Sequence, residues 1–112
     1  MKKAFLLIVV IFAFAISASA QKICPVNSES KADVKLYVVN YENQADLWIY
    51  NVNYENQSGS NDGKWYFVCD ENGAQKKVFF TDYENQAQIK VYFVDNESLA
   101  GWKNESKSYL LK

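Results

Sequence analysis

A thirteen-residue period constrains this chain more than any other feature of it. The stretch Val39-Asn40-Tyr41-Glu42-Asn43-Gln44-Ala45-Asp46-Leu47 returns in its core as Tyr54-Glu55-Asn56-Gln57 and as Tyr83-Glu84-Asn85-Gln86-Ala87. Aligned on the apolar residue that opens each unit, Ile23, Leu36 and Ile49 lie thirteen residues apart, and Trp65, Val78 and Val91 do so again. Six units result, and a fixed period of this kind implies that one local structure is built six times. The single phase break, three extra residues, falls in the polar turn sequence Ser58-Gly59-Ser60-Asn61-Asp62-Gly63 between the third and fourth units. The seventh position of the units is Glu29, Glu42, Glu55, Glu71, Glu84 and Glu97; the tenth is Ala32, Ala45, Ser58, Ala74, Ala87 and Ala100.

Within a unit the side chains alternate with period two. Leu47 and Ile49 oppose Trp48, Tyr50, Val52 and Tyr54, and Ile89, Val91 and Phe93 oppose Lys90, Tyr92 and Val94. β-Branched and aromatic residues dominate, and no 3.6-residue spacing is present, so each unit predicts one strand of roughly seven to nine residues and a tight turn at Glu-Asn-Gln. Large apolar groups on both strand faces of so small a protein predict a sheet closed on itself, as a barrel or a wound solenoid, and not an open sheet with exposed edges. The last unit departs from the pattern at Ala100-Gly101-Trp102, and Tyr109-Leu110-Leu111 is apolar enough to return and cap the array.

Residues 1–20 read as a secretory signal: Met1-Lys2-Lys3, an apolar run from Ala4 to Ile16, then Ala18-Ser19-Ala20 as a cleavage pattern. Thirteen apolar residues are short of the about 20 that a membrane-spanning helix needs, which predicts cleavage and no transmembrane anchor. Cys24 follows Lys22-Ile23, without the small residue of a lipoprotein processing site. The mature domain, residues 21–112, would hold ten lysines against 13 acids, with no arginine and no histidine. That composition predicts one small exported β domain, periplasmic or extracellular, and argues against a nucleic-acid partner, which Lys and Arg clusters would have to hold.

The residue inventory narrows the chemistry. His-dependent triads are excluded, no Gly-rich phosphate loop is present, and without His or a CxxC pair no metal or cofactor is expected. The six recurrent glutamates are expected to be structural, each accepting backbone hydrogen bonds at its turn or pairing with Lys35, Lys64, Lys77, Lys90 or Lys103. An asymmetric pair of them doing glycosidase-like acid/base work is the competing reading, which six equivalent environments disfavour. Tyr41, Tyr54 and Tyr83 share one unit position and are expected to pack their rings at the core edge with wet hydroxyls; the competing reading is a ligand surface that stacks on sugar rings. Cys24 and Cys69 lie forty-five residues apart and are free to pair in an oxidising compartment, or to serve as two small buried apolar groups.

The run Val91-Tyr92-Phe93-Val94-Asp95, the Tyr-Glu-Asn-Gln-Ala units and the ending Ala100-Gly101-Trp102-Lys103-Asn104 resemble the septoil-knot domain, a family of small exported bacterial domains of unknown function. The resemblance spans about residues 22–112. It implies an all-β domain of six strand-turn units whose backbone is tied in a seven-crossing torus-type knot. Ser28-Glu29-Ser30, Asp70-Glu71-Asn72-Gly73 and Asn96-Glu97-Ser98 depart from the Tyr-Glu turn of the other units, and no catalytic residue is carried over. The expectation is a monomeric, non-enzymatic structural or binding module. Its alternatives are a glycan- or peptidoglycan-binding module using turn Tyr, Asn and Gln, a self-assembling surface repeat, and a carboxylate-pair hydrolase; the partner considered is a glycan or an envelope protein.

Overall fold

The computed structural model describes residues 21–112, so residues 1–20, expected to be a secretory signal, lie outside the described residues. Seven strands form one sheet: β1 (Lys22–Pro25), β2 (Val34–Val38), β3 (Leu47–Asn51), β4 (Lys64–Phe67), β5 (Lys76–Phe80), β6 (Ile89–Phe93) and β7 (Gly101–Trp102). Each of the first six is followed by a single 3₁₀ turn, at Glu29–Lys31, Glu42–Gln44, Glu55–Gln57, Glu71–Gly73, Glu84–Gln86 and Glu97–Leu99, and a seventh 3₁₀ segment, Glu105–Leu111, ends the chain. The strands are two to five residues long, shorter than the sequence predicts. The cause is stagger: Val34–Leu36 pairs with β5 while Leu36–Val38 pairs with β6, so each neighbour needs only half a strand.

The sheet runs β4-β1-β5-β2-β6-β3-β7, and a further β3–β4 pairing closes six strands into a ring. All pairs in that ring are parallel, and only β7 is antiparallel. One hydrogen bond marks every seam. Val26, Val39, Val52, Val68, Thr81 and Val94, the fourth residues of the units, donate their N–H groups to the carbonyls of Val78, Val91, Trp65, Ile23, Leu36 and Ile49 at 2.8–2.9 Å. These acceptors are the six unit-opening residues, whose side chains are fully buried and form the centre of the core with Val34, Leu47 and Ile89.

Ring order explains the phase break. From β1 to β2 to β3 the chain steps past one strand position each time, and it does the same from β4 to β5 to β6. Steps of two on a six-membered ring would return β4 onto β1. The passage from β3 to β4 therefore moves by a single position, and this half-step is where the longer Ser58–Gly63 loop sits. The second circuit then falls into the gaps left by the first. Every strand pair consequently joins β1, β2 or β3 to a strand from β4 onward, and neither half of the chain contains a strand pair of its own.

Both mouths of the ring are plugged. Phe67, Phe80 and Phe93 come from alternate strands β4, β5 and β6 and converge at the strand ends, with Phe93 6.4 Å from each of the other two rings. At the start of β1, Gln21 donates its Nε2 hydrogen to the Leu111 carbonyl at 3.3 Å, and the Leu111 side chain is fully buried against the core. The C-terminal residues thus return and dock as expected, except that Tyr109 faces solvent. Outward strand faces are half-buried, not buried, because the turns cover only part of them.

Candidate functional site

The turns form the outer layer, and their chemistry follows from one recurring contact. In four of the six turns the opening glutamate meets the strand lysine one place before a ring-seam carbonyl, in its own unit or in another. Lys35 Nζ lies 3.5 Å from Glu29, Lys90 Nζ 3.4 Å from Glu84, Lys22 Nζ 3.6 Å from Glu55, and Lys64 Nζ 3.6 Å from Glu97. Glu71 is met at 4.0 Å by Lys31 from the first turn. Glu42 is the exception. Trp48 stands where Lys35 and Lys90 stand in their units, and its indole N–H donates to the Glu42 backbone carbonyl at 3.0 Å, leaving that carboxylate with no lysine among the described residues. All six glutamates are solvent-exposed and occupy separate turns, and these half-exposed pairs each contribute little to stability.

The residue before each of these glutamates is the N-cap of its turn. Asp70 and Asn96 behave as N-caps should, accepting hydrogen bonds from the N–H groups of Asn72 and Ser98, both at 3.0 Å. Tyr41, Tyr54 and Tyr83 hold the same position without a side-chain cap, and their side chains are 67%, 67% and 63% exposed. The expectation of rings packed at the core edge does not hold for them. The N-cap backbone is extended at these tyrosines as it is at Asp70 and Asn96, but a phenol ring lacks the short side-chain oxygen that reaches the turn N–H groups, so it stays in solvent.

Cys24 and Cys69 are both free thiols, Cys24 buried and Cys69 exposed. The small-apolar-group reading fits Cys24 alone. Burial pushes the Cys24 thiol up from its ordinary value, and Glu71, Cys69 and Asp70 add to this while Lys77 opposes it.

Sequence reasoning passed over the most connected polar group. The buried Asp46 carboxylate accepts from the Lys90 backbone N–H at 2.9 Å, from Asn104 Nδ2 at 3.3 Å and from Lys107 Nζ at 3.2 Å, while its backbone carbonyl accepts from Lys103 and Asn104 at 2.7 and 2.9 Å. Asp33 and Gln88, at the equivalent eleventh position, take the N–H groups of Lys77 and Lys35 in the same way. The signal was present as a polar acceptor recurring one residue after the small tenth position.

Two clefts open on the surface. One, of about 490 Å3, is polar and lies between the Ser58–Gly63 loop and the C-terminal segment, lined by Asn61, Gln75, Trp102, Glu105 and Ser108 among others. Asn61 takes a left-handed backbone there (φ 60°), and it accepts from Trp102 Nε1 at 3.1 Å while donating to the Ser108 carbonyl at 2.9 Å. The other, of about 390 Å3, lies beside the Phe plug and is lined by Glu42, Tyr92, Phe93, Val94, Asp95 and Leu99.

A family model described as the 7(1) septoil knot domain matches residues 20–103. The chain belongs to the septoil-knot family. No curated protein and no solved structure matches it. The double circuit on one ring accords with a seven-crossing septoil knot, and it overrides the general rule that chains avoid threading. In this septoil-knot domain, no group of three or more His, Cys, Asp and Glu side chains among the described residues could hold a metal ion. No described helix is long and apolar enough to cross a membrane. What the septoil-knot surface does offer is three solvent-facing tyrosines on a ring held shut by six equivalent hydrogen bonds.

Proposed function

We propose that the domain is an exported, non-enzymatic, monomeric binding module that presents Tyr41, Tyr54 and Tyr83 to a glycan of the cell envelope, with the closed ring as a rigid support. One observation carries the reading: three N-caps hold an exposed aromatic ring where Asp70 and Asn96 place a capping oxygen, and only at Tyr54 does a turn side chain, Gln57, bond back to the N-cap N–H. Asp70 and Asn96 occupy that position in sibling turns and do cap, while Ser28 does not, so a tyrosine there forgoes a stabilisation that Asp or Asn supplies. Sacrifices of this kind concentrate at functional positions. Ring faces stack on sugar C–H surfaces, while Asn43, Asn56, Asn85 and the neighbouring Gln side chains supply donors and acceptors for hydroxyls.

Two features support a stand-alone binder over the other readings. The closed ring removes the free strand edges on which fibres grow, leaving only the two-residue β7 outside it. The six turn glutamates, exposed on separate turns, supply no close pair among themselves in contrasting surroundings for hydrolysis. The test is a titration of the purified protein with soluble peptidoglycan fragments, followed by intrinsic fluorescence. Binding that disappears in the triple variant Tyr41→Asn, Tyr54→Asn, Tyr83→Asn, with sizing unchanged, supports the reading. Absence of binding, or binding indifferent to the triple change, refutes it.

A further inference from the structure

The repeated turn displays its own ligand preference. In five of the six turns the opening glutamate is met by a primary ammonium of the protein, and at Glu29 and Glu84 that ammonium comes from the unit's own strand lysine. At Glu42 the lysine is replaced by Trp48, whose indole is drawn back to the turn carbonyl. The carboxylate so released does not face empty solvent. It borders the cleft of about 390 Å3, together with Asp95, another carboxylate with no lysine partner among the described residues.

The rest of the cleft wall is apolar and aromatic. Phe93 and Leu99 are 38% and 44% exposed, and Tyr92 and Val94 complete the wall. Lys103, the nearby cation, is held over the Trp48 ring with Nζ 4.0 Å from the centroid, and forms no ion pair with Glu42. The neighbouring elements explain the shape: β2 and β6 are adjacent in the ring, so the turn leaving β2 flanks the residues leaving β6.

We propose that this cleft binds an organic ammonium on an apolar stem, with Glu42 and Asp95 taking the charged head and Phe93, Tyr92 and Leu99 the stem. Charge complementarity selects the head, since two unpaired carboxylates repel an anion and gain nothing from a neutral group. Aromatic faces reinforce a cation, and exposed apolar side chains gain from covering a methylene chain. The proposal is independent of the turn-tyrosine reading, because none of the three tyrosines lines the cleft.

The experiment is calorimetric titration of the purified protein with n-hexylammonium and, as the neutral isostere, hexan-1-ol. Binding of the ammonium and not of the alcohol is expected, with Glu42→Gln and Asp95→Asn each weakening it about tenfold, the effect of one lost charge-assisted hydrogen bond. Trp48→Lys restores an internal lysine at the position that Lys35 and Lys90 hold, and should abolish binding. N-acetyl-lysine amide, run in parallel, separates the sources: binding equal to hexylammonium assigns the head to a lysine side chain of a partner, and binding of the free amine alone assigns it to a small molecule. Equal affinity for ammonium and alcohol, no binding of either, or an affinity indifferent to Glu42→Gln overturns the proposal. The triple tyrosine variant keeps ammonium binding, so failure here and failure of the glycan reading are distinguishable.

Discussion

Lys107 Nζ donates to Asp46 Oδ2 at 3.2 Å, across sixty-one residues of sequence, and so ties the C-terminal segment to the start of β3. Burial pushes the Asp46 carboxyl up, but the Lys90 N–H, Lys107 and Asn104 outweigh it and hold the group below the usual carboxylate range. A pKa lower in the folded state contributes stability that is complete above the unfolded value of about 4 and is lost as pH falls through the folded value. Asp46→Asn should therefore cost about 1–3 kcal/mol at pH 7 in urea unfolding, and the gap to the parent should narrow at pH 3. A gap that is the same at both pH values would count against the assignment.

Gly63 marks the half-step. Its backbone is left-handed (φ 86°), and a Cβ there would meet the Trp48 carbonyl oxygen at 2.4 Å and the Gly101 nitrogen at 2.8 Å. Backbone from β3, β7 and the loop meets at this point, so nothing flexible can yield. Gly63→Ala is expected to destabilise by about 1–3 kcal/mol. Gly73→Ala, whose Cβ would find its nearest neighbour at 3.3 Å and has an ordinary φ, is the matched control.

The two thiols should differ in reactivity by their surroundings alone. A chromogenic disulfide reagent should titrate Cys69 rapidly in the native protein and reach Cys24 only as the domain unfolds. Two equally fast thiols would show that β1 opens readily.

Restoring N-caps should stabilise the domain while removing its exposed rings. Each of Tyr41→Asn, Tyr54→Asn and Tyr83→Asn is expected to add about 0.5–1 kcal/mol, read from the urea midpoint at constant slope. Destabilisation would mean that the rings make contacts in solution that their exposure does not suggest.

Because all strand pairs cross between the halves, residues 21–58 and 64–112 should each be unstructured when expressed alone. Apart from β3–β4, the paired strands of the ring are 44 or 53 residues apart, which makes closure slow. Far-ultraviolet circular dichroism of each half tests the first point and stopped-flow refolding the second. A cooperative strand signal from either half, or fast single-phase refolding of the whole, would contradict them.

Much of this was legible in the residues and some was not, for identifiable reasons. The core residues Ile23, Leu36, Ile49, Trp65, Val78 and Val91 stood out because a period repeats the same burial at the same phase. The half-step could be located but not interpreted: Ser58–Gly63 shows that the spacing changes, whereas ring order depends on pairings 44 residues or more away. Tyr41, Tyr54 and Tyr83 were expected to pack because aromatic residues in small domains usually do, whereas at the N-cap of an exposed turn their rings find no apolar surface to cover. Asp46 was missed because the polar acceptor recurring at the eleventh position shows nothing of its partners, and the five donors that meet its side chain and carbonyl come from Lys90 and from residues 103–107, far along the chain. The resemblance to the septoil-knot domain supplied the topology that periodicity alone left open between barrel and solenoid.

The interleaved ring also limits how such a molecule can change in length. A solenoid grows by adding a repeat at its end, since each repeat touches only its neighbours. Here a seventh full unit would need a place between strands that already pair, and it would alter the count that makes one half-step sufficient. Duplication of a single unit, the ordinary route by which repeat proteins diversify, would therefore require the strand order of the whole ring to change. Variation is left to the turns, where Tyr, Ser, Asp and Asn already exchange at one position and Trp48 has already displaced a lysine.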